Sequence, residues 1–146
     1  MWRIWSRSLP GLFLLVAILV AGCAKRQPPP CTEAEGTVWL DDQPLPFVQV
    51  EFIPDLPKFK GELNSMATTD ENGHYRLTCG YKDQPGAVIA RHRVVIREAP
   101  APREMRGMDG DSQERYARYV TGLKNRPVSQ VYGTASTTPL IVEVTA

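Results

Sequence analysis

Three segments of this chain alternate between apolar and polar side chains with a period of two, and no other feature restricts its fold as strongly. In Phe47-Val48-Gln49-Val50-Glu51-Phe52-Ile53, Val48, Val50 and Phe52 share one face while Gln49 and Glu51 share the other. In Ala90 to Arg97, His92, Val94 and Ile96 face one way and Arg91, Arg93 and Arg97 the other. Near the end, Leu140, Val142 and Val144 alternate with Ile141, Glu143 and Thr145. Successive side chains of a strand point to opposite sides, so such runs fit strands with one buried face. The 13 prolines and 11 glycines then favour short strands and turns over long helices.

Other strands follow from the same reasoning. Val38 and Leu40 alternate with Thr37 and Trp39, and Asp41-Asp42-Gln43-Pro44 supplies a turn. Pro54 is expected to end the second strand, because it cannot donate to a ladder. Met66–Thr69 and His74–Cys79 flank Asp70-Glu71-Asn72-Gly73, which predicts a hairpin with Tyr75 and Leu77 pointing inward. A further turn is expected at Gln84-Pro85-Gly86. Between the last two strands, residues 98–139 form the least regular stretch. Within it, Tyr116, Tyr119, Val120 and Leu123 fall at helical spacing, which predicts a helix from Asp111 to Lys124 capped by Asp111 or Ser112.

The first residues carry a different signal. A basic opening with Arg3 and Arg7 precedes an apolar run from Leu9 to Ala21, the physical signature of a cleaved export signal over residues 1–22. A retained membrane span would need roughly 20 apolar residues, and this run is shorter. Its end, Leu19-Val20-Ala21-Gly22-Cys23, resembles the bacterial lipobox. That resemblance implies lipid attachment through the Cys23 thiol and anchorage in a membrane on the exported face. Acyl chains contribute about 0.8 kcal/mol per buried methylene, so two or more chains hold firmly. Ala24, rather than Asp, after the cysteine implies the outer membrane where a cell has two. Residues 23–34, with Pro28-Pro29-Pro30, are expected to be an extended tether, leaving residues 35–146 as one domain.

The domain's segments, taken in order, resemble carboxypeptidase regulatory-like, transthyretin-like domains. The resemblance rests on Gly36-Thr37-Val38-x-Leu40-Asp41-x-x-Pro44-Leu45 followed by Val48-x-Val50-x-Phe52-x-Pro54, and on Thr69-Asp70-Glu71-Asn72-Gly73-His74-Tyr75-x-Leu77. Gly86-Ala87, Arg93-Val94-Val95-Ile96, Tyr132 and Thr137-Thr138-Pro139-Leu140-x-Val142-x-Val144 extend it over most of residues 36–145. It implies a mainly β fold, a seven-stranded transthyretin-like (prealbumin-like) β-sandwich with one short helix in a long loop. It carries little functional weight, because one fold hosts many functions.

Charge and motifs narrow the function. Lys plus Arg is 17 and Asp plus Glu 16, and loss of Arg3 and Arg7 with the leader takes the side-chain charge from +1 to −1. That balance gives no footprint for nucleic acid. In an exported protein Cys31 and Cys79 are left over after Cys23, and such a pair favours a disulfide, the alternative being two free thiols. Closing that loop of about 48 residues would contribute about 2–4 kcal/mol. His74 and His92 lie in strands without metal-ligand spacing, and Asp109-Gly110-Asp111 with Glu114 lacks the remaining ligands of a calcium loop. No metal or cofactor is therefore expected.

There is also no Gly-x-Ser-x-Gly and no phosphate loop. The hydroxyisourate hydrolases among transthyretin-like proteins end in Tyr-Arg-Gly-Ser, whereas this chain ends Val144-Thr145-Ala146. The expectation is a non-catalytic interaction or structural module at the cell envelope, partnered by an envelope protein. The alternative is a binder of carbohydrate or envelope polymer, with Trp39 and the row Arg91, Arg93 and Arg97 as contacts. An aromatic platform of Trp39, Tyr75 and Tyr81 would serve the same end, set against the simpler reading of Tyr75 as core and Trp39 as cover for a sheet face.

Overall fold

A computed structural model describes residues 27–123 and 126–146. The expected export signal over residues 1–22, Cys23 and Lys124 lie outside the described residues. The fold is mainly β and sandwich-like. Its strands are β1 (Cys31–Thr32), β2 (Glu35–Thr37), β3 (Trp39–Leu40), β4 (Gln43–Pro44), β5 (Val48–Pro54) and β6 (Ser65–Thr68). There follow β7 (His74–Arg76), β8 (Thr78–Cys79), β9 (Gln84–Pro85), β10 (Ala87–Val88) and β11 (Ala90–Glu98). Helix α1 (Gly110–Gly122) and β12 (Ile141–Val144) complete the chain. Six strands form one antiparallel sheet in the order β12-β11-β5-β6-β8-β9, and three two-stranded ladders, β1-β10, β2-β7 and β3-β4, accompany it.

The alternating runs form the centre. β11 pairs with β5 over seven positions, from His92↔Pro54 to Glu98↔Val48, and with β12 from Ala90↔Val144 to Arg93↔Ile141. Val48, Val50 and Phe52 are buried, as are Val94 and Leu77. Each such side chain contributes about 1.5–3 kcal/mol by leaving water. Leu45, Val38 and Leu77 join the same apolar cluster from the opposing layer. The Tyr75 and Phe52 rings meet across it with centroids 6.2 Å apart.

Turn chemistry sets the connections. Asp41 and Asp42 adopt φ of 50° and 59°, so a two-residue loop of left-handed residues joins β3 to β4. Asp70 Oδ1 accepts hydrogen bonds from the amides of Asn72 (2.8 Å) and His74 (2.9 Å). Gly73 has φ +72°, and a Cβ there would lie 2.8 Å from the Leu45 amide nitrogen. Thr69 is buried; its hydroxyl donates to the Leu45 carbonyl and accepts from the Val48 amide, both at 2.9 Å.

Several expectations need correction. β6 and β7 flank the turn at 70–73 but are not paired as a hairpin: β7 pairs with β2, and β8 pairs with β6. The chain changes layer at Leu77, whose amide donates to Ala34 O (2.9 Å) while its carbonyl accepts from Gly86 N (2.7 Å). The reversal after β8 lies at residues 80–83, with Lys82 and Asp83 at positive φ, and Gln84 and Pro85 are strand residues. Residues 30–32, expected within the tether, are instead held against the sandwich. Pro30 O accepts from Ile89 N (2.9 Å) and β1 pairs with β10, so the fold begins near residue 30 because these backbone groups find partners on the sandwich.

Helix α1 exists as expected, but its N-cap is Asp109, which accepts from Ser112 N at 2.8 Å. Asp111 and Ser112 lie inside the first turn instead. Ser112 is the helix's one buried residue, so its stripe stays near the surface, with Tyr116 and Val120 each 45% exposed. Among the described residues no helix is long and apolar enough to cross a membrane.

Candidate functional site

A cleft of about 450 Å³ is lined by Val38, Trp39, Leu40, Ile96, Tyr132 and Leu140 and closed by residues 126–129. Its walls are mostly apolar, a composition that suits a ligand with an apolar face. Trp39 forms part of the rim and is 61% exposed. It stays outside because its chain neighbours Val38 and Leu40 use the inward positions of the same short run.

Arg126 closes the other side. Its guanidinium donates to the Leu40 carbonyl, to the Gln43 carbonyl at 3.1 Å, and faces the Asp41 carboxylate at 3.5 Å. These bonds join the long 99–139 excursion to the β3–β4 hairpin. Sequence reasoning misses Arg126 and meets Tyr132 only within the family resemblance. An arginine before a proline in an irregular stretch carries no local sign of where its guanidinium docks.

The arginine row lies elsewhere. Ile96, at an even position of β11, lines the cleft, whereas Arg91 and Arg93 occupy odd positions and project from the opposite face of the sheet. Arg91 sits across from Glu143, and Arg93 donates to Ala135 O at 3.2 Å. Trp39 and these arginines therefore do not form one site. Arg97 is engaged structurally, since it pairs with Glu51, which also accepts from Asn64 Nδ2 at 2.8 Å and is almost wholly buried. Alternation alone places Glu51 on a solvated polar face; the flanking Asn64 and Arg97 cover it.

The three aromatics do not form one platform, because Tyr81 lies apart from the other two. Tyr75 packs against the main core, where burial pushes its phenol pKa up, and with Trp39 it borders a shallow groove beside the cleft. Tyr81 belongs to a second apolar cluster around Leu63, Cys79 and Val88, with the Lys82 ammonium 5.1 Å from its ring centroid.

Both histidines are strand residues. His74 faces Thr37 across the β2–β7 ladder. His92 is fully buried beside the Phe52 ring, 5.7 Å between centroids. Its Nδ1 lies 2.9 Å from Ala90 O, which can only accept, so Nδ1 carries the proton and the buried Nε2 has no partner among the described residues. Burial lowers the His92 pKa, and the Ala90 hydrogen bond opposes that shift only in part. Asp109 is spent on the helix cap: the Ser112 hydroxyl (2.6 Å) and amide hold its carboxyl below the usual range. Glu114 pairs with Arg118 at 3.2 Å. Among the described residues no group of three or more His, Cys, Asp or Glu side chains is placed to hold a metal ion.

Cys31 and Cys79 are brought together in the second cluster, both as thiols. Compared with protein-family models, curated proteins and solved structures, the chain has no match.

Proposed function

We propose that this chain is an exported lipoprotein, acylated at Cys23, that presents a non-catalytic, transthyretin-like sandwich as an interaction or structural module at the cell envelope. The observation that carries this reading is Leu19-Val20-Ala21-Gly22-Cys23 at the end of a short apolar run. Thiol acylation needs the cysteine, and cleavage beside it needs the small residues. Further support comes from spacing: the fold begins near Pro30, only a few residues after Cys23. The domain would thus be held close to the lipid surface, its partner another envelope component. The order of the strand and turn segments supports the prealbumin-like assignment.

The test is direct. Cys23→Ser should abolish labelling by a palmitate analogue and leave the leader uncleaved in the producing bacterium. Labelling that persists in the variant refutes the anchor.

A second reading, binding of carbohydrate or envelope polymer, is favoured by the exposed Trp39 at an apolar cleft. Aromatic faces suit the apolar faces of sugar rings. In a pull-down on envelope glycans, Trp39→Ala should lose binding while Arg93→Ala, on the other side of the sheet, should retain it. Absence of glycan binding by the unmodified protein leaves the first reading alone.

A further inference from the structure

The second apolar cluster holds a pair of thiols for which the proposed function has no use. Cys79 lies in β8 within the six-stranded sheet, fully buried, with its Sγ 3.7 Å from the Leu63 carbonyl oxygen. Cys31 lies in β1, a strand of only two residues outside that sheet, in register with Val88 of β10. The two ladders meet at the cluster of Leu63, Cys79 and Val88, against which Cys31 packs. There the Cys31 side chain lies against the cluster that holds the buried Cys79 thiol. Gly86 holds the strand in this position: its φ is +90°, and a Cβ on it would fall 1.8 Å from the Thr32 carbonyl oxygen.

The geometry points to a Cys31–Cys79 disulfide that clamps the first strand of the fold to the main sheet. β1 is otherwise secured by two residue pairs and the Pro30–Ile89 hydrogen bond. The pairing is a property of the folded domain and does not rest on the lipid anchor. If the anchor is present, the clamp delivers any pull on the lipid to the six-stranded sheet.

The oxidant is a disulfide donor, either a small-molecule disulfide or the oxidised form of a dithiol protein. Cys31, the partly exposed thiol, loses its proton and attacks one donor sulfur; the donor S–S bond breaks and one thiolate leaves. Cys79 then loses its proton and attacks the Cys31 sulfur, forming the internal S–S bond and releasing the second donor thiolate. Two protein thiols are oxidised and one donor disulfide is reduced to two thiols. Burial, with the Cys79 thiol alongside, pushes the Cys31 thiol pKa up to about 11, so its thiolate is scarce at neutral pH. The rate should rise roughly tenfold per pH unit through the mildly alkaline range.

The experiment uses the full chain purified in detergent and treated with oxidised glutathione. A non-reducing peptide map should show the Cys31 and Cys79 peptides joined, with the mass of two hydrogens lost. Exchange of the Ile89 amide should slow by about tenfold on oxidation and recover on reduction. Cys31→Ser keeps the test open should Cys79→Ser fail to fold: it should form no internal link, and its Ile89 exchange should not respond to oxidant. The inference is overturned if the folded protein stops at glutathione adducts on Cys31, if Cys23 is the residue joined, or if Ile89 exchange is the same in both redox forms.

Discussion

The β5–β11 pair and the excursion at residues 99–139 are held by different physics. Along β5 and β11, Val48, Val50, Phe52, His92 and Val94 are buried against residues distant in sequence, and the ladder runs over seven positions. The excursion contains a helix that buries little but Ser112, and it is fastened by polar bonds to the sandwich. Arg126 reaches the Leu40 and Gln43 carbonyls, Arg93 the Ala135 carbonyl, and the Thr138 hydroxyl the Val94 carbonyl at 2.7 Å. Apolar burial thus secures the frame, whereas a few charged and neutral hydrogen bonds, with Val128 packed against the main core, decide where the excursion lies. The candidate cleft sits between the two and depends on both.

That contrast can be broken experimentally. The largest effect is expected from Leu77→Ala, which opens a cavity where the chain changes layer: about 3 kcal/mol lost in urea unfolding. A cost below about 1 kcal/mol would mean that the two layers are not packed as described. Arg126→Ala should cost less, about 1–2 kcal/mol, since it removes hydrogen bonds from a charged donor to the Leu40 and Gln43 carbonyls. Its sharper signature should be faster proteolysis within residues 99–139 while the sheet amides keep their exchange protection. Equal loss of protection in β5 and β11 would show that the excursion and the frame unfold as one unit.

A graded effect is expected from pH. The neutral form of His92 is favoured in the fold, whereas the unfolded chain takes up a proton as pH falls through the ordinary value of 6.5. The unfolded state then binds more protons, so His92 supports stability above that pH and withdraws it as pH falls below. Thermal unfolding of the wild type should show this slope between neutral and mildly acidic pH, and His92→Leu should flatten it. An unchanged slope in the variant would place the responsible group elsewhere. The smallest effect is expected at the helix surface: Val120→Ala should stay within about 0.5 kcal/mol. A larger cost in the same urea assay would mean that the stripe on α1 is covered in solution.

Much of the frame was legible residue by residue. Val48, Val50 and Phe52, His92 and Val94, and Tyr75 with Leu77 face inward as their spacing requires. The helix was legible too, although its cap moved to Asp109 because Asp, Ser and Gly in succession offer several starts. The site was less so. Trp39 stood out by its residue type, but the arginines grouped with it lie across the sheet, since strand parity separates Ile96 from Arg91 and Arg93. Arg126, some 86 residues from its Leu40 partner, gave no such sign.

Alternation, turn residues and helical spacing act locally, so the order of residues alone determined the longer strands, the apolar side of β5 and β11, and the turns at 41–42 and 70–73. Backbone hydrogen bonds are the same for any partner strand, and a period of two names a face without naming a neighbour. Only packing of the whole chain decided that β7 joins β2, that Glu51 is covered by Asn64 and Arg97, and that the Cys31 and Cys79 thiols share one cluster.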